Sequence, residues 1–227
     1  MTIAIRWRPF IIAFTILFLT YGGYFYWDNY IKIIPEELMG KTIQRLSGLE
    51  GYTYKMELKL ISNGHERQIS SIKGERKDVD NFHLIGVIEG TPVEAYHLEN
   101  TTYLKAGEAG KWMVIEGNKV FDQDLFMVEI DPLASFNFIK VEDLIYQGRK
   151  EIDGQKAHQL TFTPQLEHPF MNKHWFNFQY TLWLRTNGEL IKGEVKGNLK
   201  ARPEDQLFLI LEIIDYDPKI NLRPPAL

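Results

Sequence analysis

The sequence contains no cysteine and no strong excess of charge. Without cysteine the chain forms no disulfide, thiolate metal site or cysteine nucleophile, and it offers no cysteine for lipidation. Its 26 basic and 30 acidic residues give a formal net charge of −4, whereas a nucleic-acid binder would show a clustered basic face. We therefore predict no nucleic-acid partner, and the absence of thiols suits an oxidising compartment.

Motifs that carry catalysis or bind metals are also missing. The sequence has no P-loop, no G-x-G-x-x-G and no G-x-S-x-G, and its six histidines lack metal-ligand spacing. The acids Asp122, Asp124 and Glu129 do not follow the spacing of an EF-hand. The pair Glu129 and Asp131 is interpreted as a loop and helix-start pair. The sequence therefore predicts no enzyme, no metal site and no cofactor.

A long uncharged run, Pro9 to Trp27, lies near the start of the sequence. As a helix it would span roughly 28 Å at about 1.5 Å per residue, close to the hydrocarbon thickness of a bilayer. Arg6 and Arg8 precede the run. The positive-inside rule then places the N-terminus in the cytoplasm and the remaining chain outside. We predict a single-pass signal anchor in residues 1–30, and hence a location in the cell membrane.

A cleaved signal peptide is the alternative to this anchor. Signal peptidase needs small residues just before the cut, and the end of the run offers only Gly22 and Gly23 before bulky rings. An uncleaved anchor is favoured for that reason.

Beyond the anchor, the hydrophobic period changes to two. In YTYKMELKLI, Tyr54, Met56 and Leu58 face one way and the charged residues between them face the other. Further strands are predicted at 67–77, 82–89, 93–98, 101–105, 111–115, 144–150, 155–163, 176–185, 189–199 and 206–216. A helix is predicted from Pro35 to residue 48, a helical or irregular segment over 119–140, and a short helix or loop over 164–175.

This pattern predicts a mainly β (α+β) fold. We expect a large curved antiparallel sheet, or half-open β-barrel, with covering helices, because a sheet of ten or eleven strands usually curls. The two strand-rich halves on either side of 119–140 should form one sheet. The extracytoplasmic domain is predicted over 31–217, followed by an extended tail over 218–227.

The sequence is rich in large apolar residues, with 14 Phe, 11 Tyr and 5 Trp. They fit either a packed core between sheet and helices or an apolar cavity that holds a hydrophobic ligand. The candidate cavity residues are the apolar side chains expected on the inner faces of these strands and helices. They are Met56, Leu58, Phe82, Leu84, Tyr96, Trp112, Phe136, Phe138, Phe178 and Tyr180.

Residues 79–112 also carry a recurring pattern: D-x-F-x-x-x-G, G-x-P-V-E-x-Y, N-x-x-Y-x-K and G-K-W. The matching positions are Asp80, Phe82, Gly86, Gly90, Pro92, Val93, Glu94, Tyr96, Asn100, Tyr103, Lys105, Gly110, Lys111 and Trp112. This segment resembles extracytoplasmic proteins of Gram-positive bacteria in the LolA/LppX/RseB-like superfamily of lipoprotein-carrier folds.

The resemblance implies a half-open barrel whose relatives hold lipid or lipoprotein acyl chains, or sense envelope stress through a partner protein. Many relatives are anchored through a cysteine or are soluble shuttles, whereas this sequence has no cysteine and is predicted to be tethered. The favoured hypothesis is a membrane-anchored protein that binds a lipid or another hydrophobic ligand. The alternative is an ectodomain that binds an envelope protein and no small ligand.

Overall fold

The computed structural model describes residues 8–27, 32–78, 80–107, 110–117, 127–216 and 219–226. Within them the helices are α1 (Arg8–Tyr26), α2 (Pro35–Ser47), α3 (Met127–Ile130) and α4 (Pro169–His174), and a 3-10 helix spans Pro132–Phe136. The strands are β1 (Tyr52–Ser62), β2 (His65–Asp78), β3 (Asn81–Ile88), β4 (Thr91–Leu98), β5 (Thr101–Ala106), β6 (Met113–Glu116), β7 (Phe138–Ile152), β8 (Gln155–Leu166), β9 (Trp175–Leu184), β10 (Leu190–Leu199) and β11 (Arg202–Tyr216).

The strands of the described residues form one antiparallel sheet in the order β6-β5-β4-β3-β2-β1-β11-β10-β9-β8-β7. Every pair of neighbours is also consecutive in sequence except β1 and β11. Those two strands pair from Tyr52 opposite Tyr216 to Ile61 opposite Gln206. Their pairing joins the two strand-rich halves, as predicted, into a single large curved sheet.

The core lies on the concave face of this sheet. Met56 in β1 lies between Leu211 of β11 and Ile72 of β2, and all three are buried. Lys55, the next residue along β1, is exposed on the convex face, as strand alternation requires. Apolar residues of the helices pack against the buried strand residues, among them Leu38, Met39, Leu46, Val128, Ile130, Leu133 and Met171.

Helix α2 begins as the sequence predicts. Pro35 occupies its first turn together with Glu36 and Glu37, where carboxylates favour the helix dipole, and Arg45 lies in its last turn. Arg45 Nη2 lies 2.5 Å from Glu189 Oε1 in the β9–β10 turn, which ties α2 to one end of the sheet.

Two glycines in the sheet make room for aromatic rings. A Cβ at Gly193 would lie 2.5 Å from Phe136 Cε1, and a Cβ at Gly74 would overlap the ring of Tyr54. The absence of a side chain at both positions lets these rings lie directly on the backbone of the sheet.

Three details of the sequence-based prediction are wrong. Residues 138–140, predicted as helical or irregular, begin β7, because the 3-10 helix ends at Phe136 and a β-rich stretch follows. Residues 164–166, predicted as helix or loop, continue β8. Alternation with Phe178 and Tyr180 in the predicted strand 176–185 also places Phe176 on the inner face. Phe176 is instead 40% exposed, because Asn177 takes a positive φ of 54° and the β9–β10 register shifts there. Residues 119–126 of the predicted helical segment lie outside the described residues.

Near the N-terminus, α1 covers most of the uncharged run, and its described side chains from Phe14 to Tyr24 are exposed. Within the described part of the chain, no helix meets the length and apolarity that a membrane crossing requires. Residues 219–226 contain neither helix nor strand. The predicted anchor and domain boundaries stay predictions.

Candidate functional site

An apolar groove of about 590 Å³ lies at one end of the concave face, between the sheet and the short helices α3 and α4. This volume falls within the range of about 300–1,000 Å³ found for small-molecule sites. Its apolar lining consists of Leu58, Leu60, Ile69, Ile88, Val93, Ala106, Val128, Met171, Trp175, Leu199 and Leu207. Arg67, Glu89, Thr91 and Glu129 supply its polar side chains. We call this feature the groove.

The floor of the groove continues the inner face of the core. In β1, the buried Tyr54 and Met56 are followed on the same face by the half-buried Leu58 and Leu60. Leu60 pairs with Leu207 of β11, which extends the apolar floor to the next strand. The groove therefore lies where the described helices flank this face of the sheet without covering it.

One wall of the groove, α3, is fixed by hydrogen bonds from the sheet. The Tyr54 hydroxyl donates to the Glu129 carbonyl at 2.8 Å, and Arg76 Nη1 donates to the Ile130 carbonyl at 3.0 Å. These carbonyls end a four-residue helix and would otherwise lack partners. Arg76 Nη1 also lies 3.4 Å from Asp131 Oδ1. One buried arginine therefore contacts both the last residue of α3 and the residue that follows it.

The other wall, α4, is held at both of its ends. His168 caps its start by accepting from the Met171 backbone amide at 3.4 Å. Asn172 Nδ2 donates to the Leu166 carbonyl at 2.8 Å, and Lys200 Nζ donates to the Asn172 carbonyl at 2.6 Å. These contacts hold the fully buried Met171 against the groove.

Charge is distributed unevenly around the groove. Arg67 and Glu89 are 64% and 65% exposed and lie 3.9 Å apart at the mouth. Glu129 is only 4% exposed. Burial raises the pKa of the Glu129 carboxyl, and the Ser70 hydroxyl opposes this with a smaller effect. The interior of the groove therefore contains one carboxyl that takes up a proton more readily than an exposed glutamate.

The opposite end of the concave face is filled. Phe138 makes edge-on contacts with Phe162 and Tyr180, each with ring centroids 5.2 Å apart, and Phe136 lies edge-on to Tyr180 at 5.6 Å. The Tyr180 hydroxyl donates to the Ser135 carbonyl at 2.6 Å, and burial raises its pKa well above the ordinary value. We call this part the aromatic core.

A second, more polar pocket of about 430 Å³ lies beside the aromatic core, where α2 ends. Its lining includes Tyr52, Arg76, Asp78 and Asp131, and Arg76 is already paired with Asp131. No three His, Asp or Glu side chains of the described residues lie close enough together to hold a metal ion.

Of the ten predicted cavity residues, the structure places Leu58 in the groove lining. Six of the others are buried in the core: Met56, Phe82, Leu84, Phe136, Phe178 and Tyr180. Phe138 is half-buried against the aromatic core.

Tyr96 and Trp112 lie away from the groove, on the convex face. The Tyr96 ring stacks on His83 with centroids 4.0 Å apart, and Trp112 lies 5.7 Å from Tyr96. A role for any of the ten residues in ligand binding stays a prediction.

Glu129 was interpreted from the sequence as a loop or helix-start acid, and its position in the groove lining was missed. The signal available in the sequence was its place between two apolar residues, Val128 and Ile130, both of which the structure buries. Asp131, its predicted pair, instead lies beside Arg76.

The fold has counterparts among solved structures. The lipoprotein LppX of Mycobacterium tuberculosis superposes with a TM-score of 0.55 at 11% identity, covering 83% of this chain and 98% of LppX. LprF of Mycobacterium bovis gives a TM-score of 0.56 at 15% identity, covering 85% of this chain and 97% of LprF. The chain therefore has the LppX-like fold that residues 79–112 suggested.

Sequence comparison adds little to this structural likeness. No protein-family model matches the chain. The FT-interacting protein 7 of rice, Oryza sativa subsp. japonica, is 26% identical over 116 residues, which is 48% of this chain. The chain spans only 14% of the length of that relative. This partial match carries no conclusion about function.

Proposed function

We propose that this protein is a membrane-anchored, extracytoplasmic binding protein that holds a lipid or another hydrophobic ligand in the groove. The observation that supports it is the groove itself, an apolar space of about 590 Å³ walled by α3 and α4. Transfer of apolar surface from water into such a space is favourable by about 25 cal/mol per Å². A single acyl chain presents the elongated apolar surface that this lining suits.

The LppX-like fold supports the proposal without naming the ligand. In the superfamily that residues 79–112 resemble, the concave face is where relatives hold acyl chains. The proposal differs in placing the ligand at the groove end of that face, because the aromatic core fills the other end. No catalytic role is proposed.

The ligand can be detected by native mass spectrometry of the 227-residue chain, held in amphipol and purified from cells that express it. We expect a copurifying lipid, or uptake of an added one. Leu60→Trp places a large ring in the groove floor and should abolish this binding. Leu98→Trp is the matched control, since Leu98 is also half-buried but lies on the convex face. A wild-type chain that carries no lipid and takes up none would contradict the proposal.

The anchor rests on the sequence from Pro9 to Trp27 and on its preceding arginines. The cysteine-free chain allows a direct test with single cysteines at Thr2 and at the exposed Lys156. In intact cells, a membrane-impermeant maleimide should label Lys156→Cys and leave Thr2→Cys unlabelled until the membrane is broken. Equal labelling of both variants in intact cells would refute this orientation.

A protein partner remains the second candidate because one convex-face region is apolar and exposed. Ile85 and Val87 lie two residues apart on β3, outside the groove, and are 47% and 41% exposed. An envelope protein bound there should form a crosslink with the wild-type chain in the membrane. The Ile85→Asp variant should not form this crosslink. If the crosslink persists in Ile85→Asp but disappears in Leu60→Trp, the partner binds at the groove instead.

A further inference from the structure

The charge inside the groove determines which lipids it can accept. Among the described lining residues, Arg67 and Glu89 pair with each other at the exposed mouth. Glu129 is the remaining charged residue of this lining, and it is buried. A ligand whose polar group passes beyond the Arg67–Glu89 pair therefore meets a carboxyl and no cation among the described lining residues.

The backbone at Glu129 is fixed beside the groove. Its carbonyl accepts the hydrogen bond from Tyr54, and its neighbours Val128 and Ile130 are both buried. Among the described residues, no lysine, arginine or histidine forms an ion pair with its carboxylate. Burial disfavours the ionised carboxylate more than the Ser70 hydroxyl stabilises it, so this carboxyl holds a proton more readily than an exposed glutamate. A protonated carboxyl can both donate and accept a hydrogen bond.

Three kinds of polar group can be compared at this position. The carboxylate of a free fatty acid would bring a second acid beside Glu129, and two like charges in one buried site disfavour each other. An ammonium group would pair with Glu129 only after losing its hydration in an apolar space. The carbonyl of an ester can accept a hydrogen bond from the protonated Glu129 carboxyl without any buried charge.

We propose that the groove selects uncharged acyl esters over free fatty acids, with the Glu129 carboxyl as the hydrogen-bonding group. This inference rests on the proposed function of the groove and adds the class of ligand. The mouth agrees with it, because the paired Arg67 and Glu89 present no net charge to an entering lipid.

The test compares two lipids that share one tail, 1-monooleoylglycerol and oleate, as competitors of the neutral fluorescent probe N-phenyl-1-naphthylamine on the 227-residue chain. We expect the ester to bind roughly tenfold more tightly, the range expected for one satisfied buried hydrogen bond. Glu129→Gln should keep the preference, since the amide also donates without ionising. Glu129→Leu should lose it, and Glu129→Lys should reverse it in favour of oleate.

Glu57→Lys is the matched control, since the Glu57 side chain is 45% exposed on the convex side of β1 and the same charge change there should leave the preference intact. Circular dichroism checks that each variant folds. If Glu129→Lys fails to fold, the Glu129→Leu variant provides the test. An unchanged preference for the ester in that variant overturns the inference, and a lost preference supports it.

The outcomes separate this inference from the function on which it rests. Equal binding of both lipids by the wild-type chain overturns the selectivity and leaves the hydrophobic groove standing. Failure of the probe and of both lipids to bind contradicts the proposed function, and the inference fails with it.

Discussion

The aromatic core and the groove occupy two ends of the same concave face, yet they are built differently. At the aromatic core, the 3-10 helix and the rings of Phe136, Phe138 and Tyr180 fill the space above the strands. At the groove, the strands present aliphatic residues such as Leu60 and Leu207, and α3 and α4 stand at the sides. One face of one sheet thus serves stability at one end and offers a binding site at the other.

The difference arises from the covering segments and not from the strands. Met56 and Leu58 are separated by one residue on the same face of β1, but Met56 is fully buried and Leu58 lines the groove. In the described part of the chain, residues 127–136 belong to this cover, and hydrogen bonds from Tyr54, Arg76 and Tyr180 hold them in place. We therefore expect substitutions at the aromatic core to lower mainly the stability and substitutions at the groove to lower mainly ligand binding.

The largest effect is expected at the aromatic core. Phe136→Ala should lower the free energy of unfolding by about 3–5 kcal/mol, because it leaves a cavity over Gly193. Leu60→Ala should lower it by about 1 kcal/mol, because Leu60 is only half-buried. Urea unfolding of both variants measures the contrast. Equal destabilisation by the two would mean that the groove end is packed as tightly as the aromatic core.

A smaller effect is expected when a single hydrogen bond is removed from the aromatic core. Tyr180→Phe leaves the Ser135 carbonyl without its 2.6 Å partner and should lower the free energy of unfolding by about 1–2 kcal/mol. Tyr103→Phe, the same change on the convex side of β5, should alter it by less than about 0.5 kcal/mol. A loss of similar size in the control would show that the hydroxyl of Tyr180 has no special role.

The groove should show a pH dependence of stability that comes from Glu129. Its folded-state pKa is raised by burial above the ordinary value of 4.5. The folded chain therefore holds this proton more tightly than the unfolded chain, and the associated stability is present below pH 4.5 and lost as pH rises through the folded pKa.

Glu129→Gln removes this loss. Measured by urea unfolding across a pH series, the variant should be more stable than the wild type at neutral pH, with the difference shrinking as the pH falls. A difference that stays constant with pH would show that Glu129 does not titrate in a buried site.

The smallest effect is expected at the groove mouth. Arg67→Gln removes an ion pair of 3.9 Å between two largely exposed side chains, and such pairs contribute little to stability. The thermal midpoint should stay within the error of the wild-type value. A clear drop would mean that the mouth is structurally coupled to the groove walls.

Much of the fold follows from local patterns in the sequence. The alternation in β1 and the Pro35 at the start of α2 each predict an element that the structure contains. The exceptions are local as well. The positive φ of Asn177 and the register shift beside it turn the Phe176 side chain away from the inner face. Hydrophobic periodicity does not predict such an irregularity.

The site was harder to predict for a physical reason. Core and groove use the same apolar residues on the same strand face, so the sequence identifies the face without showing which part of it is covered. Tyr96 was expected inside, but it follows the buried Ala95 and so points to the convex face, where it stacks on His83. The sequence does not indicate that Glu129 is buried, because its burial depends on contacts with distant strands, including the hydrogen bond from Tyr54.

Photocrosslinking locates the ligand most directly. The 227-residue chain is irradiated with a monoacylglycerol that carries a diazirine in its tail, and the modified peptides are mapped by mass spectrometry. We expect adducts on groove residues such as Leu60, Met171 and Leu207, and their loss in Leu60→Trp. Adducts confined to the convex face or to α1, and unchanged in Leu60→Trp, would contradict the groove as the binding site.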